Sequence, residues 1–435
     1  MFELLKTLYP LNRTLNSADT SKAYEIVNRH LPTQNKNVVH RFRPGRRAWT
    51  WPIPAGYHVN RATLTDSKGT VYADFAKNPL YIWSYSVSTQ KTLTWSELEP
   101  HLYYNKLQPM GIPWRFKYYE KAWGFSVEYA KFQEMPRNET YEVDIDVEFR
   151  TDDDFKILTS YIDNQQDKDF IFCTNICHPY QVNDSISGLV VAVEVANRLA
   201  RNPVESPNCN FNFLFGPETI GSIVYFAHNE EKLKKSSSGL FVEMVGHKNQ
   251  DEYVLQQSRD EDAIINKIFQ YVLRQKGYSY SLRPFARWND EGIIDGPGVN
   301  IPCPFLMQGR YDPTTRDTDF YEEYHTSLDN PSIISDEKLH AAADIVEEAL
   351  RIYASNYRPK QRTRGILFLS GLGMHTAFEE NPEVCLRLEK IIYMLEGKHS
   401  VLDIAFELQS NYWDIKRFID QLHEKDAIEK IQEVF

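Results

Sequence analysis

The sequence predicts an α/β fold: a doubly wound, mostly parallel sheet that carries a β-rich inserted domain and ends in a C-terminal winged helix. Three observations support this expectation. From about Thr140 onward, apolar strand-like runs alternate with helical spacings, the pattern of a parallel sheet covered on both faces. Between Val38 and Phe149 the texture differs, with short alternating runs cut by Pro, Gly and Asn. The last stretch reads as three helices and a short terminal strand.

Taken in order, residues 3–31 read as helical, with Leu4, Leu5, Leu8, Tyr24, Ile26, Val27 and Leu31 at roughly helical spacing. Runs such as 58–64 and 81–87 alternate with the period of a strand. Residues 141–150 and 156–162 suggest a hairpin. Residues 169–177 are apolar enough for a strand buried on both faces. Helix 188–199, strand 210–215, helix 222–233, strand 239–245, helix 263–275, strand 304–307 and helix 336–353 follow. In the tail, helices 387–395, 401–408 and 412–423 precede a strand at 427–431. The expected domains are an α/β body of residues 1–37 and 140–375, a β-rich inserted domain of 38–139, and a winged helix of 380–435.

Composition narrows the function classes. The chain has 435 residues, 42% of them hydrophobic and 25% charged, as in a folded protein of two or three domains. A net charge of −11 argues against nucleic acid or an anionic membrane as the main partner. Residues 386–435 hold seven Lys or Arg against ten Asp or Glu, so the winged helix is expected to serve packing, a protein partner or a homo-oligomer rather than DNA. There is no run of about 18 apolar residues and no apolar signal-peptide core near the start. Five scattered cysteines without a framework spacing fit a reducing cytoplasm, the expected location.

Ligands of a doubly wound sheet bind beyond the carboxyl ends of its strands, so the polar residues after each apolar run are the candidates. His178 and Asp184 follow the 169–177 run, Glu218 follows 210–215, Glu243 lies within 239–245, and His325 precedes the long helix. Two histidines and three carboxylates make an oxygen-rich set suited to catalytic Zn²⁺. Such a zinc keeps a position open for water and lowers its pKa, while a nearby carboxylate takes the proton. Each residue also has an ordinary use: Asp184 as a helix cap, Glu218 near a helix N-terminus, Glu243 in an ion pair, the histidines in loops. Their joint placement at four strand ends favours the metal reading. Cys173 and Cys177 face the same side of an extended strand about 13 Å apart, so they read as core rather than as joint ligands. No dinucleotide fingerprint, phosphate loop or nucleophile elbow is present.

The strings His178-Pro179, Asn183-Asp184, Ser187-Gly188, Pro217-Glu218-Thr219-Ile220-Gly221-Ser222, Glu243-Met244-Val245-Gly246 and Tyr324-His325-Thr326-Ser327 resemble the M28-type zinc aminopeptidases. More closely, with Tyr9-Pro10-Leu11, Trp51-Pro52-Ile53-Pro54 and Trp123-Gly124-Phe125, they resemble the bacterial DUF4910/DUF2172 aminopeptidase-like group over nearly the whole chain. The resemblance implies one or two zinc ions held by His178, Asp184 and His325, with Asp184 as the bridge. It further implies a ligand role for Glu218 and places Glu243 where the family has an aspartate. The family's adjacent glutamate pair is Pro217-Glu218 here, so its general base is missing. Glu291, with Asp290 behind it in the loop 287–292, is the candidate replacement. If Glu218 is instead the base, a single zinc rests on His178, Asp184 and His325.

The function implied is a zinc-dependent hydrolase that cleaves an amide next to a free amine, in a small peptide or an aminoacylated substrate. Trp123, with Tyr118 and Tyr119, is expected to wall the cleft and restrict substrate size. The alternatives are a catalytically degenerate scaffold that acts through the winged helix, and another zinc amide reaction such as glutaminyl cyclisation.

Overall fold

A computed structural model describes residues 1–286, 289–374 and 381–431. Its main sheet has eight strands: β1 (Lys36–Phe42), β2 (Phe155–Ile162), β3 (Asp169–Asn175), β4 (Asn210–Gly216), β5 (Ser236–Val242), β6 (Glu252–Gln256), β7 (Ser279–Arg283) and β8 (Phe305–Gln308). They lie in the order β1-β2-β4-β3-β5-β8-β6-β7. The four middle strands, β4, β3, β5 and β8, are mutually parallel, as are β6 and β7. β1 and β2 add to one side antiparallel, and β6 runs antiparallel to β8. The α/β body with a large, mostly parallel sheet is therefore as expected.

The centre of the sheet follows from its residues. β3 and β4 are buried along their whole length, which suits strands covered on both faces. Phe170 and Phe211 meet across one face, where Phe170 also meets Tyr353 of the helix Asp336–Ser355. The next residue, Asn212, points to the other face and reaches Tyr225 of the helix Ile220–Ala227. Helix Gly188–Arg201 begins against the end of β5. A Cβ on Gly188 would stand 2.7 Å from the Val242 carbonyl carbon and 3.0 Å from Glu243 Cα.

Three expectations are corrected. Residues 141–150 do not form a hairpin with 156–162. Strand Thr140–Arg150 pairs instead with Gly56–Asp66, from Gly56 opposite Arg150 to Asp66 opposite Tyr141. With Val71–Asp74 and Thr89–Thr94 these make a separate four-stranded sheet, so the strands of the β-rich module run past residue 139. Conversely β1, which straddles the expected boundary at 38, pairs with β2 in the main sheet. The helical reading of 3–31 resolves into Phe2–Leu8 and Ala18–His30, with Ser17 capping the second helix through Thr20 N.

In the tail, helices Pro382–Tyr393, Val401–Glu407 and Tyr412–Glu424 precede the strand Ile428–Ile431, which pairs antiparallel with Arg358–Gln361. Tyr271 Oη donates to the Ser410 carbonyl at 2.7 Å, and Trp413 Nε1 donates to Glu348 at 2.7 Å. These bonds, with the Lys267–Asp403 ion pair, hold the tail against the α/β body. Among the described residues no helix is long and apolar enough to cross a membrane.

Candidate metal centre

Four loops at the carboxyl ends of the parallel strands and before the long helix converge. His178 follows β3 and Asp184 precedes the helix Gly188–Arg201. Glu218 follows β4, Glu243 follows β5, and His325 precedes Asp336–Ser355. His178 Nδ1 lies 3.6 Å from Asp184 Oδ1, and His325 Nε2 lies 3.0 Å from Asp184 Oδ2. On its other edge His178 Nε2 lies 3.4 Å from Glu218 Oε2. Each loop also holds a non-glycine residue in left-handed backbone: His178 at φ +69°, Thr219 at +59°, Met244 at +53° and His325 at +56°. Such conformations are costly for L-residues and persist where the surroundings over-determine them.

The electrostatics suit a cation. Burial lowers the His178 pKa to about 4, so its imidazole is neutral and able to ligate near neutral pH. Burial pushes the Asp184 carboxyl up, but His178 and His325 outweigh that and hold it below the ordinary carboxylate range. Among the described residues, the buried Asp184 Oδ1 has no hydrogen-bond donor. Glu218 and Glu243 are raised well above their usual range, by burial first and then by the Asp184 charge. A divalent ion would supply the missing counter-charge. Two overlapping groups of possible ligand atoms lie within 4.8 Å of one another: His178, Asp184 and His325, and Cys177, His178 and Glu218. The residues therefore fit a metal.

The remaining candidates stand differently. Glu243 is buried one residue past β5, and neither group includes it. It accepts from Asn175 Nδ2 at 2.9 Å and from Asn289 Nδ2 at 3.2 Å. Glu291 is buried and accepts from Gln256 Nε2 at 3.0 Å and from the Asn289 amide at 3.2 Å. Asp290 turns instead toward the Glu218 loop, where it accepts from the Thr219 amide at 3.2 Å. Arg287 and Trp288 of the same loop lie outside the described residues. β3 ends at Asn175, so Cys177 sits in the loop rather than in the strand, and its Sγ accepts from the Glu218 amide at 3.1 Å. Burial and Glu218 push that thiol well up, which keeps it protonated.

The inserted module reaches the centre through a segment that its sequence does not advertise. The Trp114 amide donates to the His325 carbonyl at 2.8 Å, and the Ser327 amide to the Ile112 carbonyl at 2.9 Å. Its indole packs edge-on to His178 at 4.1 Å and to His325 at 5.0 Å between ring centroids. Phe116 lies 4.9 Å from Trp114 and stacks on Tyr118 at 4.5 Å, while remaining 46% exposed. Trp123 stacks on His101 within the module instead, at 3.7 Å. Trp114, with Phe116 and Tyr118 packed behind it, and Tyr324, stacked on His325 at 3.8 Å, thus flank the histidines, while the ring partner of Trp123 is His101.

The DUF4910 family model, described as a domain of unknown function, matches residues 2–356. This chain belongs to the DUF4910 family. A Clostridium acetobutylicum protein, provisionally named a polysaccharide biosynthesis protein with an aminopeptidase-like domain, is 29% identical over 99% of this chain and 96% of its own length. A crystal structure of a provisionally assigned peptidase from the same species superimposes with a TM-score of 0.86 at 28% identity, covering 99% of this chain and 96% of that one. A zinc aminopeptidase from Bacillus subtilis shares the fold at 17% identity, with a TM-score of 0.61 over 81% of this chain and 93% of its own.

In this DUF4910 member, Pro217 shapes the entry to the helix Ile220–Ala227. Its carbonyl accepts from the Gly221 amide at 2.8 Å, and a Cβ on Gly221 would meet Pro217 Cδ at 3.0 Å. A close, side-chain-free approach at Gly221 thus presents Glu218 on a tight turn beside His178.

Proposed function

We propose that this chain is a zinc-dependent, aminopeptidase-like hydrolase that cleaves an amide bond next to a free amine in a short peptide or aminoacylated substrate. The observation that carries the reading is the buried Asp184 carboxylate set between His178 and His325, with one oxygen lacking a hydrogen-bond donor among the described residues. In this reading His178, Asp184 and His325 hold one ion. A bound zinc would polarise the scissile carbonyl and acidify the attacking water.

The chain's own residues do the rest. Glu218, 28% exposed at its side chain, is the proton carrier. A carboxylate whose pKa is raised by burial and by the Asp184 charge takes a proton from water and returns it to the departing amine nitrogen. Trp114 covers His178 and keeps bulk water from its ring. Glu243, bonded to Asn175 and Asn289, supplies negative charge behind the ligands. The fold shared with the Bacillus subtilis zinc aminopeptidase supports the choice of metal and reaction, and the tail is assigned a packing role.

Protein stripped with a chelator and reloaded with zinc should hydrolyse members of an aminoacyl-4-nitroanilide and dipeptide panel, with no turnover before reloading. The clostridial relative's name makes aminoacylated sugars worth including. Pro217, standing where the M28 pattern has a glutamate, favours a second reading as a degenerate scaffold. Zinc-loaded protein inert across the panel would support it. Phe116→Ala should change the ratio of kcat/KM between large and small substrate side chains about fivefold, and Trp123→Ala should not. Identical ratios in both variants and the parent would refute the assignment of the wall.

A further inference from the structure

Arg13 and Asp329 are buried on either side of the loop 176–184, and neither is an expected ligand. Arg13 is fully buried. Its Nε donates to the Ile176 carbonyl at 2.9 Å, and its Nη2 donates to the carbonyls of His178 at 2.5 Å and Gln181 at 3.0 Å. Its Nη1 donates to Leu8, and to Tyr9 and Leu11 at 3.3 Å each, in the N-terminal segment. Its acceptors among the described residues are six backbone carbonyls. Asp329, also fully buried, takes the amide side of the loop. It accepts from the backbone of Val182 at 3.2 Å, Asn183 at 2.8 Å and Asp184 at 3.1 Å, and from Tyr321 Oη at 2.7 Å.

A buried polar or charged group is expensive unless hydrogen bonds satisfy it, and the bonds that satisfy these two are made almost entirely to the backbone of this loop and the N-terminal segment. What lies between them is a short loop with His178 at φ +69° and Tyr180 at +52°. Carbonyls turned toward the Arg13 guanidinium and amides turned toward the Asp329 carboxyl oxygens over-determine a backbone that would otherwise relax. The same loop carries both His178 and Asp184, whose relative placement decides whether they can share an ion.

We propose that Arg13 and Asp329 form a hydrogen-bonded clamp on the loop 176–184, and that the clamp sets the affinity and coordination geometry of the metal centre. Both are positioning residues: they act through the backbone that presents His178 and Asp184. Through Arg13, the N-terminal segment becomes part of the metal site. The proposal rests on the metal reading above and goes beyond it in naming what holds the ligands in place.

The test compares the full-length parent with Arg13→Lys, Arg13→Met and Asp329→Asn. Zinc affinity is measured by chelator competition, the visible absorption is recorded with Co²⁺ in place of zinc, and the metal-free proteins are melted. Lysine retains the charge and reaches fewer of the carbonyls. Arg13→Lys and Asp329→Asn should fold, bind zinc about tenfold or more weakly, and show an altered Co²⁺ spectrum. A role confined to stability would lower the melting temperature and leave the spectrum of the loaded protein unchanged. Folded Arg13→Lys and Asp329→Asn with affinity within about twofold of the parent and its spectrum would overturn the clamp while leaving the metal site standing. If the parent itself binds no metal, the metal reading fails and the clamp proposal falls with it. Should Arg13→Met not fold, the other two variants decide.

Discussion

Asp184→Asn is expected to lower kcat/KM about a thousandfold or more, roughly 4 kcal/mol of transition-state stabilisation, and to empty the metal site. Asparagine has nearly the same shape, so the fold should survive. What it removes is the negative charge between two histidines, one 3.6 Å and the other 3.0 Å from the carboxylate oxygens. A neutral amide offers a metal one weak oxygen donor in place of a carboxylate, and its NH₂ cannot ligate. Both readouts are needed: kcat/KM on the best substrate of the panel, and zinc per chain after gel filtration. A variant that retains most of its activity, or its zinc, would remove Asp184 from the centre of the account.

Gly188→Ala should destabilise the protein by about 3 kcal/mol or more and lower its melting temperature by roughly 3 °C or more. The added methyl would collide with the carbonyl group of Val242 at the end of β5 and with Glu243 Cα. All of these are backbone atoms, so no rotamer change relieves the contact. The helix Gly188–Arg201 would have to move away from the sheet, taking with it the loop that carries Asp184. Gly277→Ala is the control. Its Cβ meets nothing within 4 Å, and only its φ of +75° opposes the change, at about 1 kcal/mol. Thermal denaturation of the three proteins decides, and equal melting temperatures for Gly188→Ala and the parent would contradict the packing described.

The parts of this molecule that are legible in the sequence share a local signal. His178 and Glu218 each stand just past an apolar run, Glu243 lies near the end of one, and His325 stands before a long amphipathic helix, so strand ends and loops in a doubly wound sheet bring them together. Arg13 and Asp329 carry no such signal. Each bonds the backbone of a loop more than a hundred residues away, and backbone partners leave no trace in residue types. Trp114 was hidden among eight tryptophans until its pairing with the His325 loop selected it. The same long-range pairing explains the false hairpin: Thr140–Arg150 and β2 are neighbours in sequence, but the eleven-residue strand Gly56–Asp66 offers the first a longer ladder. β6 and β7 carry a weak sequence signal, because Glu-Tyr-Val-Leu-Gln and Ser-Tyr-Ser-Leu-Arg are short and flanked by loops. Glu291 stands in the loop 287–292 that the sequence singles out, and its carboxylate accepts from Gln256.

The central claim is that His178, Asp184 and His325 hold a catalytic zinc. Elemental analysis of protein purified without added metal, beside His178→Ala and His325→Ala prepared in the same way, tests it most directly. The expected result is about one zinc per chain in the parent and little in either variant. A parent that stays free of zinc after reconstitution, or variants that keep it in full, would contradict the claim.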